Sequence, residues 1–181
     1  MKITIITVVF NGAKHIRSAI QSVLSQDYDN IEYIVIDGGS TDGTVDIVKE
    51  YQDKISVFIS EPDEGIYDAM NKGIALATGN VIGILNSDDF YIDKFVIEKV
   101  VKEFKEKNVE CVYGDLIYVK PGNLDKTVRY YDSSNFNPSK FAYGWMPAHP
   151  TFFVKRKVYE RYGMFRTDLK IAADFDILAR F

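Results

Sequence analysis

An apolar run, a glycine-rich loop and the start of a helical pattern follow one another in Ile31-Glu-Tyr-Ile-Val-Ile-Asp-Gly-Gly-Ser-Thr-Asp-Gly-Thr44. The apolar part is short, rich in Ile and without strict alternation, which is typical of a strand buried on both faces of a sheet. The glycines permit sharp turns and close approach to a ligand, and Ser40, Thr41 or Asp42 can cap a following helix. The stretch therefore predicts a strand, a loop and a helix, the repeating unit of a parallel sheet.

The same order of elements recurs along the first 107 residues. Short apolar runs predict four strands, at 3–10, 31–36, 55–59 and 80–85. Apolar residues at helical spacing predict four helices, marked by Ile16 to Leu24, Val45 to Tyr51, Ile66 to Ala77 and Phe95 to Phe104. Alternating strands and helices predict an α/β fold, in which a Rossmann-like, mostly parallel sheet carries helices on both faces.

The regular alternation ends after residue 107. Cys111 to Val119 and Thr127 to Tyr131 predict a hairpin with its turn at Pro121-Gly-Asn123, followed by an aromatic, turn-rich stretch that reaches Phe153. Asp174 to Phe181 predicts the first turns of a helix. We expect a smaller, mixed β region here, within a single domain of residues 1–181. Since no Gly, Pro or polar tail closes the last helix, we also expect a chain truncated at its C-terminus.

Composition and charge exclude several classes of protein. The 181 residues are 46% hydrophobic and 27% charged, as in an ordinary globular domain that needs no crosslink. The net charge is −4, from 22 basic and 26 acidic residues, which argues against a nucleic-acid partner. Cys111 has no intrachain disulfide partner, and the N-terminal apolar run is too short to span a bilayer and lacks a signal cleavage site. These features favour a cytoplasmic location.

Polar and acidic residues follow each predicted strand of the first half. Asn11 follows the first strand, Asp37 ends the second, Glu61 follows the third, and Asn86-Ser-Asp-Asp89 follows the fourth. The carboxyl ends of parallel strands share one edge, where open α/β sheets bind ligands. Capping explains Ser40 and Asp42 but does not explain an acid at the end of a buried strand. We therefore expect Asp37 to have a partner, such as a nucleobase N–H or a ribose hydroxyl.

The adjacent acids Asp88 and Asp89 are hard oxygen ligands of the kind that Mg²⁺ or Mn²⁺ prefers. Two acids in a loop are also common without any ligand, so their position at the shared edge carries the metal interpretation. The loop after Asp37 has no Gly-Lys-Ser/Thr and no Gly-x-Gly-x-x-Gly, which argues against P-loop nucleotide hydrolases and dinucleotide-binding dehydrogenases.

An ordered set of motifs runs through the chain. They are Thr4-Ile-Ile-Thr-Val-Val-Phe-Asn11, Asp37-Gly-Gly-Ser-Thr-Asp-Gly-Thr44, Glu61-Pro-Asp-Glu-Gly-Ile-Tyr-Asp-Ala-Met-Asn-Lys-Gly73, Gly79 to Asp89, Ala148-His-Pro-Thr-Phe-Phe153 and Ile171-Ala-Ala-Asp174. Each motif alone is moderately specific, whereas the ordered set resembles family 2 glycosyltransferases of the GT-A fold. The resemblance extends over essentially the whole chain. The subgroup that it resembles contains bacterial enzymes of O-antigen and capsule polysaccharide biosynthesis.

The resemblance implies an inverting transfer of a sugar from a nucleotide-diphosphate donor, usually a UDP-sugar, to an acceptor hydroxyl. It assigns the uracil to Asp37 and to the backbone near Thr7 to Val9, and it places Asp88 and Asp89 at the position equivalent to the DXD motif. Asp174 matches the general base of the family. The resemblance thus assigns Thr7, Val9, Asp37 and Asp88 to the donor, Asp89 to the Mg²⁺ or Mn²⁺ ion and Asp174 to catalysis. Asn11, after the first strand, and Tyr67 and Asn71, in the third helical segment, are further candidates for the donor.

The resemblance also divides the chain into a nucleotide-binding half, 1–107, and an acceptor-side half, 108–181. It implies a saccharide or lipid-linked saccharide acceptor. Many members of the family act on lipid-linked acceptors at the inner face of the cytoplasmic membrane, and the sequence leaves peripheral association with that membrane open. Two departures leave alternatives open. Ala173 stands where many relatives carry an acid, so Asp176 is a rival base, and a chain that ends soon after Asp174 is compatible with a catalytically silent sugar-nucleotide-binding module.

His149 lies between Ala148 and Pro150 in one of these motifs. A histidine in such a place is suited to contact a phosphate or an acceptor. A histidine beside a proline is equally suited to bracing a loop. The sequence leaves both interpretations open.

Overall fold

The computed structural model describes residues 1–181 and contains two sheets. The six-stranded sheet is built from β1 (Ile3–Val9), β2 (Ile31–Asp37), β3 (Val57–Ser60), β4 (Val81–Ile84), β5 (Cys111–Val112) and β8 (Phe153–Lys155). Its strand order is β3-β2-β1-β4-β8-β5. The first four strands are parallel, whereas β8 runs antiparallel to both β4 and β5. The second sheet is the hairpin of β6 (Leu116–Lys120) and β7 (Asn123–Tyr131).

Six α-helices accompany the strands: α1 (Ile16–Leu24), α2 (Thr44–Lys49), α3 (Ile66–Leu76), α4 (Val96–Glu106), α5 (Arg156–Tyr162) and α6 (Ala173–Arg180). None of them combines the length and apolar character needed to cross a bilayer. Successive side chains of β1 point to opposite faces, so that Ile5 packs with α1 and α4 while Ile6 packs with α3 and α6. Helices on both faces explain why the central strands are apolar throughout.

The fold class predicted from the sequence is confirmed, and the four predicted strands and four predicted helices occur within a few residues of their expected bounds. The hairpin turn at Pro121 and Gly122 is also present, where Gly122 adopts a left-handed φ of 80°. The predicted extent of the hairpin is wrong at its beginning. Cys111 and Val112 pair instead with β8 in the large sheet, because Phe153 and Val154 supply a longer-range partner for their backbone.

The amino end of the large sheet is held by the buried carboxylate of Glu32. It accepts hydrogen bonds from Lys2 Nζ (2.6 Å), Thr4 Oγ1 (2.6 Å) and the Thr78 backbone N–H (2.8 Å). Burial alone raises the pKa of Glu32, but these hydrogen bonds outweigh burial and lower the pKa to about 2. The carboxylate thus ties β1, β2 and the segment before β4 together, on the side of the sheet away from Asp37.

Replacing this carboxylate in Glu32→Gln is expected to lower the free energy of unfolding by about 2 kcal/mol, because buried hydrogen bonds to a charged group are lost. The folded pKa lies below the unfolded value of 4.5, so this stabilisation is present above about pH 4.5 and is lost as the pH falls towards 2. Urea unfolding at pH 7 and at pH 3 measures both quantities. Glu98→Gln, on the exposed face of α4, is the matched control. Equal losses at the two pH values would contradict the role of the charge.

Candidate active site

The loops after β1 and β2 are bonded to each other at the carboxyl edge of the large sheet. The Asn11 backbone N–H donates to Ser40 Oγ (2.7 Å), and Asn11 Oδ1 accepts from the Thr41 N–H (2.9 Å). Asn11 itself has a left-handed φ of 50°, a conformation that Asn tolerates better than most residues. Its side chain therefore fixes two loops in one arrangement.

Two glycines bring the other loops into contact. A Cβ atom on Gly12 would lie 3.2 Å from Ser87 Oγ, in the loop after β4. A Cβ on Gly38 would lie only 2.5 Å from Asp63 Oδ2, in the loop after β3. Larger residues at these positions would require the neighbouring side chains to shift. The four loops that follow the parallel strands consequently form one continuous edge, as the sequence predicts from the topology.

Asp37 is fully buried at this edge, and its two carboxylate oxygens have different surroundings. Oδ2 accepts from the backbone N–H groups of Gly39 (3.1 Å) and Ser40 (3.0 Å) and from Ser60 Oγ (2.7 Å). Oδ1 is buried without any partner. A buried acceptor left unpaired typically costs about 1 to 3 kcal/mol, or more when it is charged. Asp37 is therefore held in place through one oxygen and lacks a donor at the other.

Asp88 is exposed and Asp89 is partly buried in the loop after β4. Burial raises the pKa of Asp89 to about 6, and the negative charge of Asp88 contributes in the same direction. A nearby cation would relieve both effects, so the pair is chemically suited to a divalent ion. No group of three or more His, Cys, Asp or Glu side chains is arranged to hold a metal. An ion at this pair would need further oxygen ligands beyond these two carboxylates.

The predicted base, Asp174, lies in the first turn of α6 and meets two residues from distant parts of the chain. The hydroxyl of Tyr67 donates to Asp174 Oδ1 at 3.3 Å. His149 Nδ1 lies 3.3 Å from Asp174 Oδ2. Tyr67 is held by stacking on Phe165, with ring centroids 5.6 Å apart. The Asp174 side chain remains 20% exposed and thus accessible from solution.

The rival acid, Asp176, has a different environment two residues further along α6. Its Oδ2 accepts from Arg180 Nε at 3.0 Å and lies 2.9 Å from Arg180 Nη2. The same guanidinium also donates to the backbone carbonyls of Tyr162 and Met164. Asp176 therefore belongs to an ion pair that fixes the loop between α5 and α6.

The other residues singled out in the sequence have these positions. Thr7 is buried and paired with Val35 of β2, and its hydroxyl accepts a hydrogen bond from Tyr33 in the core. Val9 is also buried, and its carbonyl accepts from the Gly38 N–H. Asn71 uses both ends of its amide on the backbone of Phe165, donating at 2.8 Å and accepting at 2.9 Å. These contacts explain Asn71 as a brace for the loop before α6, and its role towards a donor stays a prediction.

Sequence reasoning missed Ser60 as a partner of Asp37. The signal for it is the parallel register of β2 and β3, which sets Ser60 directly beside Asp37. It also did not anticipate the cavity of about 800 Å³ between α4 and the β6–β7 hairpin, whose wall includes Asp88 and Asp89. A much smaller cavity adjoins His149 and Asp174.

Comparison with known proteins gives the family. The family model for glycosyl transferase family 2 matches residues 4–163. A glycosyltransferase of Rickettsia typhi, itself uncharacterized, is 32% identical over 185 residues, which cover 99% of this chain and 58% of that protein. A PGL/p-HBAD biosynthesis glycosyltransferase of Mycobacterium bovis is 26% identical over 98% of this chain and 68% of that protein. The chain therefore belongs to glycosyltransferase family 2, as its motifs predict.

Solved structures agree on the fold. Residues 1–349 of TarS from S. aureus in complex with UDP-GlcNAc superpose with a TM-score of 0.81 at 21% identity, over 99% of this chain and 53% of that one. The mannosyltransferase PcManGT of Pyrobaculum calidifontis, in complex with GDP-Man and Mn²⁺, gives a TM-score of 0.74 at 24% identity, over 97% of this chain and 50% of that one. The GT-A fold expected from the resemblance is confirmed. The chain spans about half the length of these structures.

Proposed function

We propose that this chain forms the donor-binding and catalytic part of an inverting glycosyltransferase that uses a nucleoside-diphosphate sugar, most simply a UDP-sugar. The observation that carries the proposal is the unpaired Oδ1 of Asp37, buried at the edge where the four loops meet. Membership of family 2 supports the proposal. So do the ligands named for the two structural neighbours, UDP-GlcNAc and GDP-Man.

The base of the nucleotide is assigned to Asp37. A uracil N3–H is a hydrogen-bond donor of the kind that Asp37 Oδ1 lacks, and Oδ2 is already saturated by three donors. Cytosine carries no hydrogen on N3 and cannot make the same bond. The backbone near Thr7 to Val9 and the loop held by Asn11 are the proposed walls of the base site, and Tyr67 and Asn71 of α3 are further candidates for contacts with the donor.

The diphosphate is assigned to the loop after β4. Asp89, assisted by Asp88, would hold a Mg²⁺ or Mn²⁺ ion there, since the raised pKa of Asp89 indicates a carboxylate that a cation would stabilise. When bound, such an ion neutralises the charge that develops on a departing diphosphate. Mg²⁺ and Mn²⁺ sites with one or two carboxylates commonly include substrate phosphates and water, which suits this loop.

We assign the role of general base, which removes the proton from the acceptor hydroxyl, to Asp174. As the acceptor oxygen forms its bond to the anomeric carbon, the carboxylate takes the hydroxyl proton and the bond between that carbon and the diphosphate oxygen breaks. Attack from the face opposite the leaving group inverts the anomeric centre. Asp174 suits this role because its partners, Tyr67 and His149, leave it partly exposed. Asp176 suits it less, because Arg180 neutralises its charge.

The acceptor is proposed to be a saccharide, free or linked to a lipid, and the reaction a step in cell-surface polysaccharide synthesis. These assignments rest on the resemblance. The same holds for the division into a nucleotide-binding half, 1–107, and an acceptor-side half, 108–181, and for a cytoplasmic location with peripheral membrane association.

Removing both acids in Asp88→Asn/Asp89→Asn is expected to abolish the effect of Mn²⁺ on UDP affinity. Calorimetric titration of the wild-type chain with UDP is expected to give at least about tenfold tighter binding with Mn²⁺ than with EDTA, because an ion held by Asp88 and Asp89 would attract the charged diphosphate. The double variant is expected to bind UDP equally in both buffers. Uridine, which has no phosphate, is the control and should bind without metal dependence. A double variant that retained the full Mn²⁺ effect would refute the metal assignment.

Transfer itself is tested with a panel of UDP-sugars and saccharide acceptors, with release of UDP as the readout. The proposed function predicts UDP release that depends on the sugar and on the acceptor. Tight UDP binding without any donor hydrolysis or transfer over long incubation would instead support the catalytically silent binding module. Failure to bind any nucleotide would contradict both.

A further inference from the structure

The contact between His149 and Asp174 joins two segments that no short-range pattern connects. His149 lies in a 3₁₀ turn (His149–Thr151) between the hairpin and β8, whereas Asp174 opens α6. Their side chains are 36% and 20% exposed, and Nδ1 of the histidine faces Oδ2 of the carboxylate at 3.3 Å. Tyr67 approaches the other oxygen from α3. The carboxylate is thus flanked on both sides by donor-bearing side chains.

We infer that His149 is a positioning residue, which through an Nδ1–H donor fixes the carboxylate of Asp174 in the orientation needed to accept the acceptor proton. The inference rests on the proposed function of Asp174 and adds a residue to it. A carboxylate at the start of a helix rotates freely about its side-chain bonds unless neighbours hold it. Tyr67 donates to one oxygen of Asp174 and His149 Nδ1 lies 3.3 Å from the other, so side chains on both oxygens limit the rotation of the group.

The charge state of the histidine determines whether it helps or hinders the base. Burial lowers the pKa of His149, and the charge of Asp174 opposes this without cancelling it. At neutral pH the imidazole is therefore uncharged and has a single N–H, which the geometry places on Nδ1. An uncharged donor orients the carboxylate without strongly reducing its affinity for a proton. A protonated histidine would instead pair with Asp174 as a cation and make it a weaker base.

The two tyrosines beside the pair do not titrate near neutral pH. Tyr67 and Tyr159, which lie beside the pair on α3 and α5, both have a pKa raised by burial and stay neutral. Asp176, on the same helix as Asp174, is held by Arg180. The remaining wall of the small cavity beside the pair is apolar, formed by Met70, Ile84, Phe152, Phe165, Ile177, Leu178 and Phe181. A pH effect in this region is accordingly assigned to His149.

The first test does not depend on activity. Long-range ¹H–¹⁵N spectra at pH 7.5 report which ring nitrogen of a neutral histidine carries the proton. His149 is expected to be neutral and protonated on Nδ1, and to lose this preference in Asp174→Ala. The chain has only one other histidine, the exposed His15, so His15→Gln assigns the signals. A His149 protonated mainly on Nε2, or unaffected by Asp174→Ala, would overturn the inference.

The second test separates positioning from bracing. In His149→Asn the amide nitrogen takes the place of Nδ1, and UDP-sugar turnover at pH 7.5 is expected to stay within about threefold of wild type. In His149→Leu the donor is lost, and kcat is expected to fall by up to about 100-fold with an unchanged Kd for UDP, as for a misplaced catalytic group. Below pH 6.5 the Asn variant should retain more of its activity than wild type. Equal losses in both variants would show a structural role only, and a wild-type chain that binds no UDP would instead refute the proposed function.

Discussion

An Asp174→Asn chain is expected to bind UDP as the wild-type chain does and to transfer sugar about 10² to 10⁴ times more slowly, the usual contribution of a general base. The amide keeps the size of the side chain and can still accept from Tyr67, so the local packing is preserved. It cannot take a proton from the acceptor hydroxyl. Calorimetry with UDP and steady-state transfer rates measure the two effects on one preparation.

The matched control is Asp176→Asn, two residues along the same helix. Loss of the negative charge of Asp176 weakens its ion pair with Arg180, although the Arg180 guanidinium keeps its hydrogen bonds to the carbonyls of Tyr162 and Met164. We expect a slightly lower melting temperature and a transfer rate near that of wild type. The opposite pattern, an inactive Asp176→Asn and an active Asp174→Asn, would transfer the role of base to Asp176.

The second large effect is expected for Asp37→Asn. Three donors surround Oδ2, so the amide oxygen of the variant should occupy that place and its NH₂ group should replace Oδ1. A donor would then face the uracil N3–H, and UDP affinity should fall by about 100-fold. Cytosine presents an acceptor at N3, so CDP should lose far less affinity, and the preference for UDP over CDP should shrink or invert.

Asp53→Asn makes the same change of charge at an exposed position in the connection between α2 and β3 and serves as the control. Both variants are compared with wild type by thermal unfolding, so that a binding loss is not confused with misfolding. Equal losses of UDP and CDP affinity in a folded Asp37→Asn chain would argue against a base contact at this residue.

The fold of the first 107 residues was predictable because each strand and helix has a recognisable pattern in its own local sequence. Apolar runs mark β1 to β4, and helical spacing marks α1 to α4. The second half was harder to predict from the sequence. Its strands β5 and β8 are only two and three residues long and form only by pairing with each other and, for β8, with β4. Such pairing depends on contacts between distant segments, which a local pattern does not encode.

The candidate site was likewise predictable in part from the sequence. Asn11, Asp37 and the Asp88–Asp89 pair could be placed at one edge because parallel strands share their carboxyl ends. The asymmetry between the two oxygens of Asp37 depends on Ser60, and therefore on the register of β2 with β3. The meeting of Tyr67, His149 and Asp174 required three separate segments to be packed, and no spacing in the sequence expresses it.

A crystal structure of the chain with UDP and Mn²⁺ would locate the nucleotide. We expect uracil at the carboxyl edge with N3 about 3 Å from Asp37 Oδ1, the distance of a hydrogen bond, and the diphosphate beside Asp88 and Asp89. UDP bound elsewhere, or bound at this edge with Asp37 Oδ1 still unpaired, would contradict this expectation.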